Sequence, residues 1–227
     1  MFDKLIFLNE KEKTEFEKYT SLKGIYLYKQ VYDILLELSN NNSVKYKELS
    51  SIIRYDKNLR DTIYKYLATV EEYLRALLCE KFDVNKEEKA FEKHCAPRLK
   101  EALFDKTESS KSNLYLKLKP DFSVLMDVCI YKKLINISPS QKKHIKDLRN
   151  HTMHHNLLLL GNAINIKSLY DNFNTLENQL NDFIELLPCE YKKGFLLDIR
   201  KLNGSIKRQF LTRFYLEDSN GGICIKK

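Results

Sequence analysis

Residues 57–82 read KNLRDTIYKYLATVEEYLRALLCEKF. In this stretch Leu59, Ile63, Leu67, Val70, Leu74, Leu77 and Leu78 recur mostly at steps of three and four, which lays one unbroken apolar stripe along an α-helix. No Gly or Pro interrupts it. A helix of this length spans ~39 Å at about 1.5 Å per residue, enough to form the spine of a bundle. The stretch therefore predicts an all-α fold built around one long buried helix.

The segments on either side agree. On the N-terminal side, Glu10 to Tyr19 predicts a short polar surface helix. Ile25 to Leu38 predicts an amphipathic one, with Ile25, Tyr28, Val31, Tyr32, Leu35 and Leu38 on its apolar face. Ser39-Asn40-Asn41-Asn42-Ser43 breaks the chain by turn chemistry, and a short helix over about 45–53 leads into the spine. After the spine, residues 83–113 are charged and carry Pro97, which reads as one or two short helices and a loop. Phe122, Leu125, Met126, Cys129, Ile130 and Leu134 mark a further core helix. Ser138-Pro139 is an N-cap followed by proline at the first helical position. Leu169, Phe173, Leu176, Leu180, Phe183 and Leu187 form a seam along a helix over about 168–187, which Pro188 stops. Another helix over about 191–202 precedes a basic C-terminal segment in which Ser219-Asn220-Gly221-Gly222 reads as a turn. The expected organisation is a helical appendage or extra layer over 1–43, a helical bundle over 44–205 and a basic segment over 206–227.

Composition bounds the rest. The chain has 227 residues, only six Gly and four Pro, and a net charge of +8 from 39 Lys and Arg against 31 Asp and Glu. The basic surplus favours a polyanionic partner without specifying a site. Five cysteines, an odd number without a CxxC pair, predict reduced thiols in the cytoplasm and not a disulfide framework. The start, Met1-Phe2-Asp3-Lys4, has no signal-peptide pattern, and no apolar run approaches the ~20 residues of a membrane span.

The chemistry is concentrated in Arg149-Asn150-His151-Thr152-Met153-His154-His155, which holds three of the five histidines. An imidazole exchanges protons near neutral pH, and a guanidinium stays charged and matches phosphate geometry. Together they suit metal-free cleavage of RNA. A neutral histidine takes the 2′-OH proton, the oxygen attacks phosphorus, an acid protonates the leaving 5′-oxygen, and arginine stabilises the non-bridging oxygens. At about 100° per residue, however, Arg149 and His154 stand ~140° apart on a regular helix. Either the helix loosens near His154 or a second protomer supplies its own copy of the motif. Asn150, four residues before His154, is placed to orient the imidazole. His151 and His155 share zinc-ligand spacing, but no HExxH motif accompanies them, and no metal or other cofactor is expected. Glu71 and Arg75 form either a helical ion pair or the edge of a cleft. Lys142, Lys143, Lys207 and Arg208 are candidate RNA-backbone contacts.

The run Leu148 to His155 resembles the Arg-Asn-x-x-x-His signature of HEPN-domain ribonucleases, most closely the Abi-like (abortive infection) branch with its doubled histidine. Val70-Glu71-Glu72-Tyr73-Leu74-Arg75 and the segment from Leu186 through Phe195 are similar to stretches of the same branch. The resemblance covers roughly residues 56–202. It implies a HEPN-like helical bundle with additional N-terminal helices, a homodimer, a composite RNA-cleaving cleft and a role in phage defence or as a toxin. RNA such as tRNA is the implied substrate, and a protein or RNA antitoxin an implied partner; no membrane is involved. Arg149 and His154 carry over as the catalytic pair and Asn150 as polar support. His155 fits the doubled histidine, whereas His151 falls at a variable position. Met153 stands where the branch has a smaller residue. A non-catalytic RNA-binding or scaffold HEPN protein is the alternative. A helix-turn-helix DNA binder over Lys45 to Leu59 is a third reading, resting on charge.

Overall fold

The computed structural model describes residues 1–81, 122–209, 214–219 and 222–226, with only the backbone course at 79 and 204–209. The expected short helices and loop over 83–113 lie outside the described residues. In chain order the elements are β1 (Leu5–Ile6), α1 (Glu10–Lys23), α2 (Ile25–Leu38), β2 (Val44–Lys45), α3 (Tyr46–Lys81), α4 (Phe122–Tyr131), α5 (Pro139–Met153), α6 (Ile166–Leu186), α7 (Cys189–Gln209), β3 (Tyr215–Ser219) and β4 (Gly222–Lys226). The all-α expectation holds, since helices dominate and the strands are short. Among the described residues no helix is long and apolar enough to cross a membrane.

The spine is longer than its apolar core suggested. Residues 45–53 do not form a separate helix; α3 runs without a break from Tyr46 to Lys81. Its stripe of Leu49, Ile52, Ile53, Leu59, Ile63, Leu67, Val70, Leu74 and Leu78 is fully buried. The polar residues between the two expected segments do not end the helix: Arg54 faces solvent, and Tyr55 and Asp56 are buried with partners. The Tyr55 hydroxyl donates to Asn203 Oδ1 (3.1 Å) and accepts from Leu216 N–H (2.9 Å). Asp56 lies at 0% exposure and accepts from Arg60 Nε (2.9 Å), one turn further on.

Helices α2, α4, α5 and α7 pack around α3, and α6 packs across α5. The first 43 residues join this core. Tyr28, Val31, Tyr32, Ile34 and Leu35 of α2 belong to the same buried cluster as the α3 stripe, and β1 pairs in parallel with β2, Leu5 opposite Val44. Helix α1 extends past Tyr19 to Lys23, capped by Asn9, whose side chain accepts from Glu12 N–H. Start and stop signals fall where expected on α5 and α6. Ser138 and Gln141 form a reciprocal capping box at the start of α5, and α6 ends at Leu186, two residues before Pro188.

The described residues of the C-terminal segment after α7 form a docked hairpin. Strands β3 and β4 pair antiparallel, with Ser219 opposite Gly222. Leu216, Ile223 and Ile225 are buried, and Asn181 of α6 clamps Ile223 through both its N–H (2.8 Å) and its carbonyl (3.1 Å). The described thiols Cys129, Cys189 and Cys224 are free. Cys129 lies in the core with Sγ 3.7 Å from the Leu74 carbonyl oxygen, and burial pushes its pKa up to about 12, which makes it a poor nucleophile.

The polar joint at Asp56 also holds the segment after α5. Its Oδ1 accepts the backbone N–H of Leu158 (2.7 Å) and Leu159 (2.8 Å). Removing one partner of such a buried charged pair costs about 3–5 kcal/mol, because the other groups are left unsatisfied. Asp56→Ala is expected to lose stability on that scale in urea unfolding. Asp56→Asn, which keeps an acceptor oxygen, should lose less. A loss under ~1 kcal/mol for the alanine variant would show that the joint does not carry the fold.

Candidate functional site

Helix α5 buries Ile145, Leu148 and Thr152 against the core. That choice of face fixes where the polar residues point. By helical geometry Lys143, Asn150 and His154 share an outward ridge within about 40°, and Arg149 falls on a flank about 140° from His154. Lys143, His154 and His155 are exposed, and Arg149 and Asn150 are half-buried.

The helix ends inside the motif. Met153 is its last residue and His154 the C-cap, at φ −89° and ψ 10°. His154 N–H still donates to the Asn150 carbonyl at 3.0 Å, so the helical screw reaches His154 without loosening. The departure comes one residue later. His155 adopts φ 57°, in the left-handed region, with its N–H on the Thr152 carbonyl (3.3 Å). Asn156 N–H returns to the His151 carbonyl at 3.1 Å. These two bonds are a Schellman C-cap, whose left-handed position is usually glycine. A Cβ in that conformation costs roughly 1–2 kcal/mol.

Beyond the cap, the chain is gripped from three helices. Leu157, Leu158, Leu159 and Leu160 are all buried, so their peptide groups need partners away from water. Asp56 of α3 takes the N–H groups of Leu158 and Leu159, and Asn172 Nδ2 of α6 donates to their carbonyls at 2.9 and 2.8 Å. Gln30 Nε2 of α2 donates to the Gly161 carbonyl at 2.7 Å. Gly161 sits at φ 52°, and a Cβ there would lie 2.2 Å from Asn172 Oδ1, so both conformation and space call for glycine. Burial pushes the Asp56 carboxyl above the usual carboxylate range, opposed by its donors, the Leu158 and Leu159 N–H groups and Arg60. All of these groups donate, which suits an ionised acceptor.

The other expected residues are placed as follows. Asn150 is joined to His154 through the backbone bond, and among the described residues no side-chain hydrogen bond links the two. The Arg149 guanidinium has no ion-pair or hydrogen-bond partner among the described residues. Glu71 and Arg75 are a half-buried i,i+4 ion pair on α3, with Arg75 Nε buried and without a hydrogen-bond partner among the described residues. Lys142 is engaged by Asp127 of α4, whereas Lys143 is exposed. Lys207 and Arg208 fall on α7, but their side chains lie outside the described residues. No three metal-ligating side chains gather among the described residues.

Two features escaped the sequence reading. His144 Nδ1 lies 2.6 Å from Asp182 Oδ2 of α6, a contact between residues 38 apart. Asp56 carried one visible signal, the Asp-x-x-x-Arg spacing to Arg60 on α3.

A scan against protein-family models and searches of curated proteins and of solved structures give no match.

The cap yields a direct test. Replacing His155 by glycine removes the left-handed penalty and is expected to raise stability by about 0.5–1 kcal/mol in urea unfolding. A loss of stability would show that the imidazole makes contacts outweighing the strain.

Proposed function

We propose that the protein is a metal-independent endoribonuclease of the HEPN type, acting as a homodimer whose active site is composed from two copies of the α5 tip. The observation that carries this reading is the unbroken helical screw from Arg149 to His154. It keeps the phosphate-binding cation and the proton-transfer group ~140° apart on one helix, so one phosphodiester meets both only when a second copy faces the first. The guanidinium of Arg149, unpartnered among the described residues, and the exposed imidazole of His154 support it, since both groups are available to a substrate.

In the proposed reaction His154 accepts the ribose 2′-OH proton and the resulting oxygen forms a bond to phosphorus. The bond to the 5′-oxygen breaks as that oxygen takes up a proton, leaving a 2′,3′-cyclic phosphate. Arg149 neutralises charge on the non-bridging oxygens, and Asn150 lines the same ridge as His154. His155 is fixed beside them by the strained cap, a placement consistent with function at a backbone outlier. Phage defence by abortive infection, or service as the toxin of a toxin–antitoxin pair in the cytoplasm, is the setting the motif suggests.

The test is cleavage of total RNA and tRNA in EDTA. Wild type should cut and leave 2′,3′-cyclic ends, and a substrate with 2′-deoxyribose should be inert. Arg149→Ala and His154→Ala should each lower the rate on the order of 10²–10⁴-fold. Equal inactivity of all three proteins with RNA binding retained would favour the non-catalytic alternative. Activity lost in EDTA and restored by zinc would overturn the metal-free chemistry.

A further inference from the structure

Helices α1 and α3 both follow the parallel β1–β2 pair and pack on each other. Phe16 packs against Tyr46 (ring centroids 6.0 Å) and Tyr28 (5.8 Å), and Glu12 Oε1 stands 3.9 Å from Lys47 Nζ. From Glu12 to Lys23 the helix rises ~16 Å, and from Lys47 to Lys57 ~15 Å. The far end of α1 is thereby brought to the stretch of α3 that carries Arg54, Lys57 and Arg60. Partial burial, together with the positive charges of Lys57, Arg60 and Arg54, holds the Lys23 ammonium below the usual lysine range.

The four cations are incompletely neutralised. Lys57 pairs with Asp61 (2.8 Å) and Arg60 with Asp56 (2.9 Å). Neither Lys23 nor Arg54 has a carboxylate at ion-pair distance among the described residues, and each keeps solvent-accessible surface. Lys23 Nζ and Lys18 Nζ lie over the Tyr19 ring, 5.3 and 5.9 Å from its centroid. Unneutralised cations around an accessible aromatic ring are what a single nucleic-acid strand requires, phosphates on the charges and a base on the ring.

We propose that this α1–α3 face is a binding track for single-stranded nucleic acid, with Lys23 and Arg54 on successive phosphates, Lys57 and Arg60 at its margin and Tyr19 as the stacking platform. The face is linked to the α5 tip by one carboxylate: Asp56 Oδ2 accepts from Arg60, and Oδ1 from Leu158 and Leu159. Leu158 is three residues past His155, at most ~10 Å of chain. The assignment of RNA as the strand rests on the nuclease reading of α5; the track itself does not. An anionic membrane suits this face less well. Leu22, Ile25 and Tyr26 are exposed at the end of α1, but α1 itself offers only Phe16, Tyr19 and Leu22 as apolar positions, with Phe16 packed against other rings. That makes a short apolar cluster and not the long face of an interfacial helix.

The test uses the full chain carrying His154→Ala, so that RNA is not consumed, and a fluorescent single strand of about 20 nucleotides, as RNA and as DNA, titrated between about 50 and 200 mM salt. Lys23→Ala/Arg54→Ala should lower the slope of log affinity against log salt by about 1.4, two contacts at ~0.7 each, and do so for both strands, because phosphates are gripped. A Lys23→Gln/Arg54→Gln pair should behave alike, and melting curves check that both variants fold. Lys226→Ala, on the hairpin and paired with Glu217 at 3.1 Å, should leave the slope unchanged. An unchanged slope in both double variants overturns the track. So does the absence of strand binding in the parent protein, or loss of binding only to phosphatidylglycerol vesicles. Because the readout is binding, a changed slope with no cleavage by the His154-containing chain refutes the nuclease reading and leaves the track standing. Intact cleavage with an unchanged slope refutes the track alone.

Discussion

A single buried carboxylate ties the molecule together. Asp56 has no exposed surface, and it joins the middle of α3 to the segment that leaves α5. Without it two buried backbone N–H groups and a partly buried guanidinium would be left unpaired, at a cost comparable to much of a domain's net stability. With it, and with Asn172, the peptide groups of Leu158 and Leu159 are hydrogen-bonded in a buried run that is neither helix nor strand. Asn172 and Gln30 complete the same grip from α6 and α2.

That grip explains how a helix end can be held in an unfavourable conformation. A left-handed histidine at the C′ position costs free energy that glycine would not, yet the chain on either side of His155 is fixed by the cap bonds and the buried leucines. The tip of α5 is therefore a rigid platform for exposed imidazoles, with Arg149 carried on the adjoining flank. Rigid presentation of a cation and a proton carrier is what the proposed cleavage needs, because misplacement by about 1 Å can cost on the order of 10²-fold in rate.

Much of the fold was legible from residue pattern. The bounds of α2, the Ser138-Pro139 start and the Pro188 stop rest on local chemistry, and local chemistry is what a sequence displays. Tyr55 and Asp56 were not legible as core, because polar residues read as solvent-facing unless their distant partners are known. Asp56 is satisfied by residues about a hundred positions later, and Tyr55 by Asn203 and Leu216. The docked hairpin was hidden for the same reason: its apolar residues are few and its anchor, Asn181, lies on α6. At the site, the residue types of the motif were visible and so was the angle between Arg149 and His154. The left-handed turn at His155 was not, since nothing in the side chain announces it, and the pairing of His144 with Asp182 depends on how α5 meets α6.

The central claim is that Arg149 of one copy works with His154 of another. It is tested most directly by mixing Arg149→Ala protein with His154→Ala protein under conditions that exchange subunits, and measuring RNA cleavage in EDTA. Each variant alone should be inactive. A mixed dimer retains one site with both groups intact, so the mixture should recover about a quarter of wild-type activity when subunits distribute at random. A mixture as inactive as its components, with subunit exchange demonstrated and wild type active, would contradict the composite site.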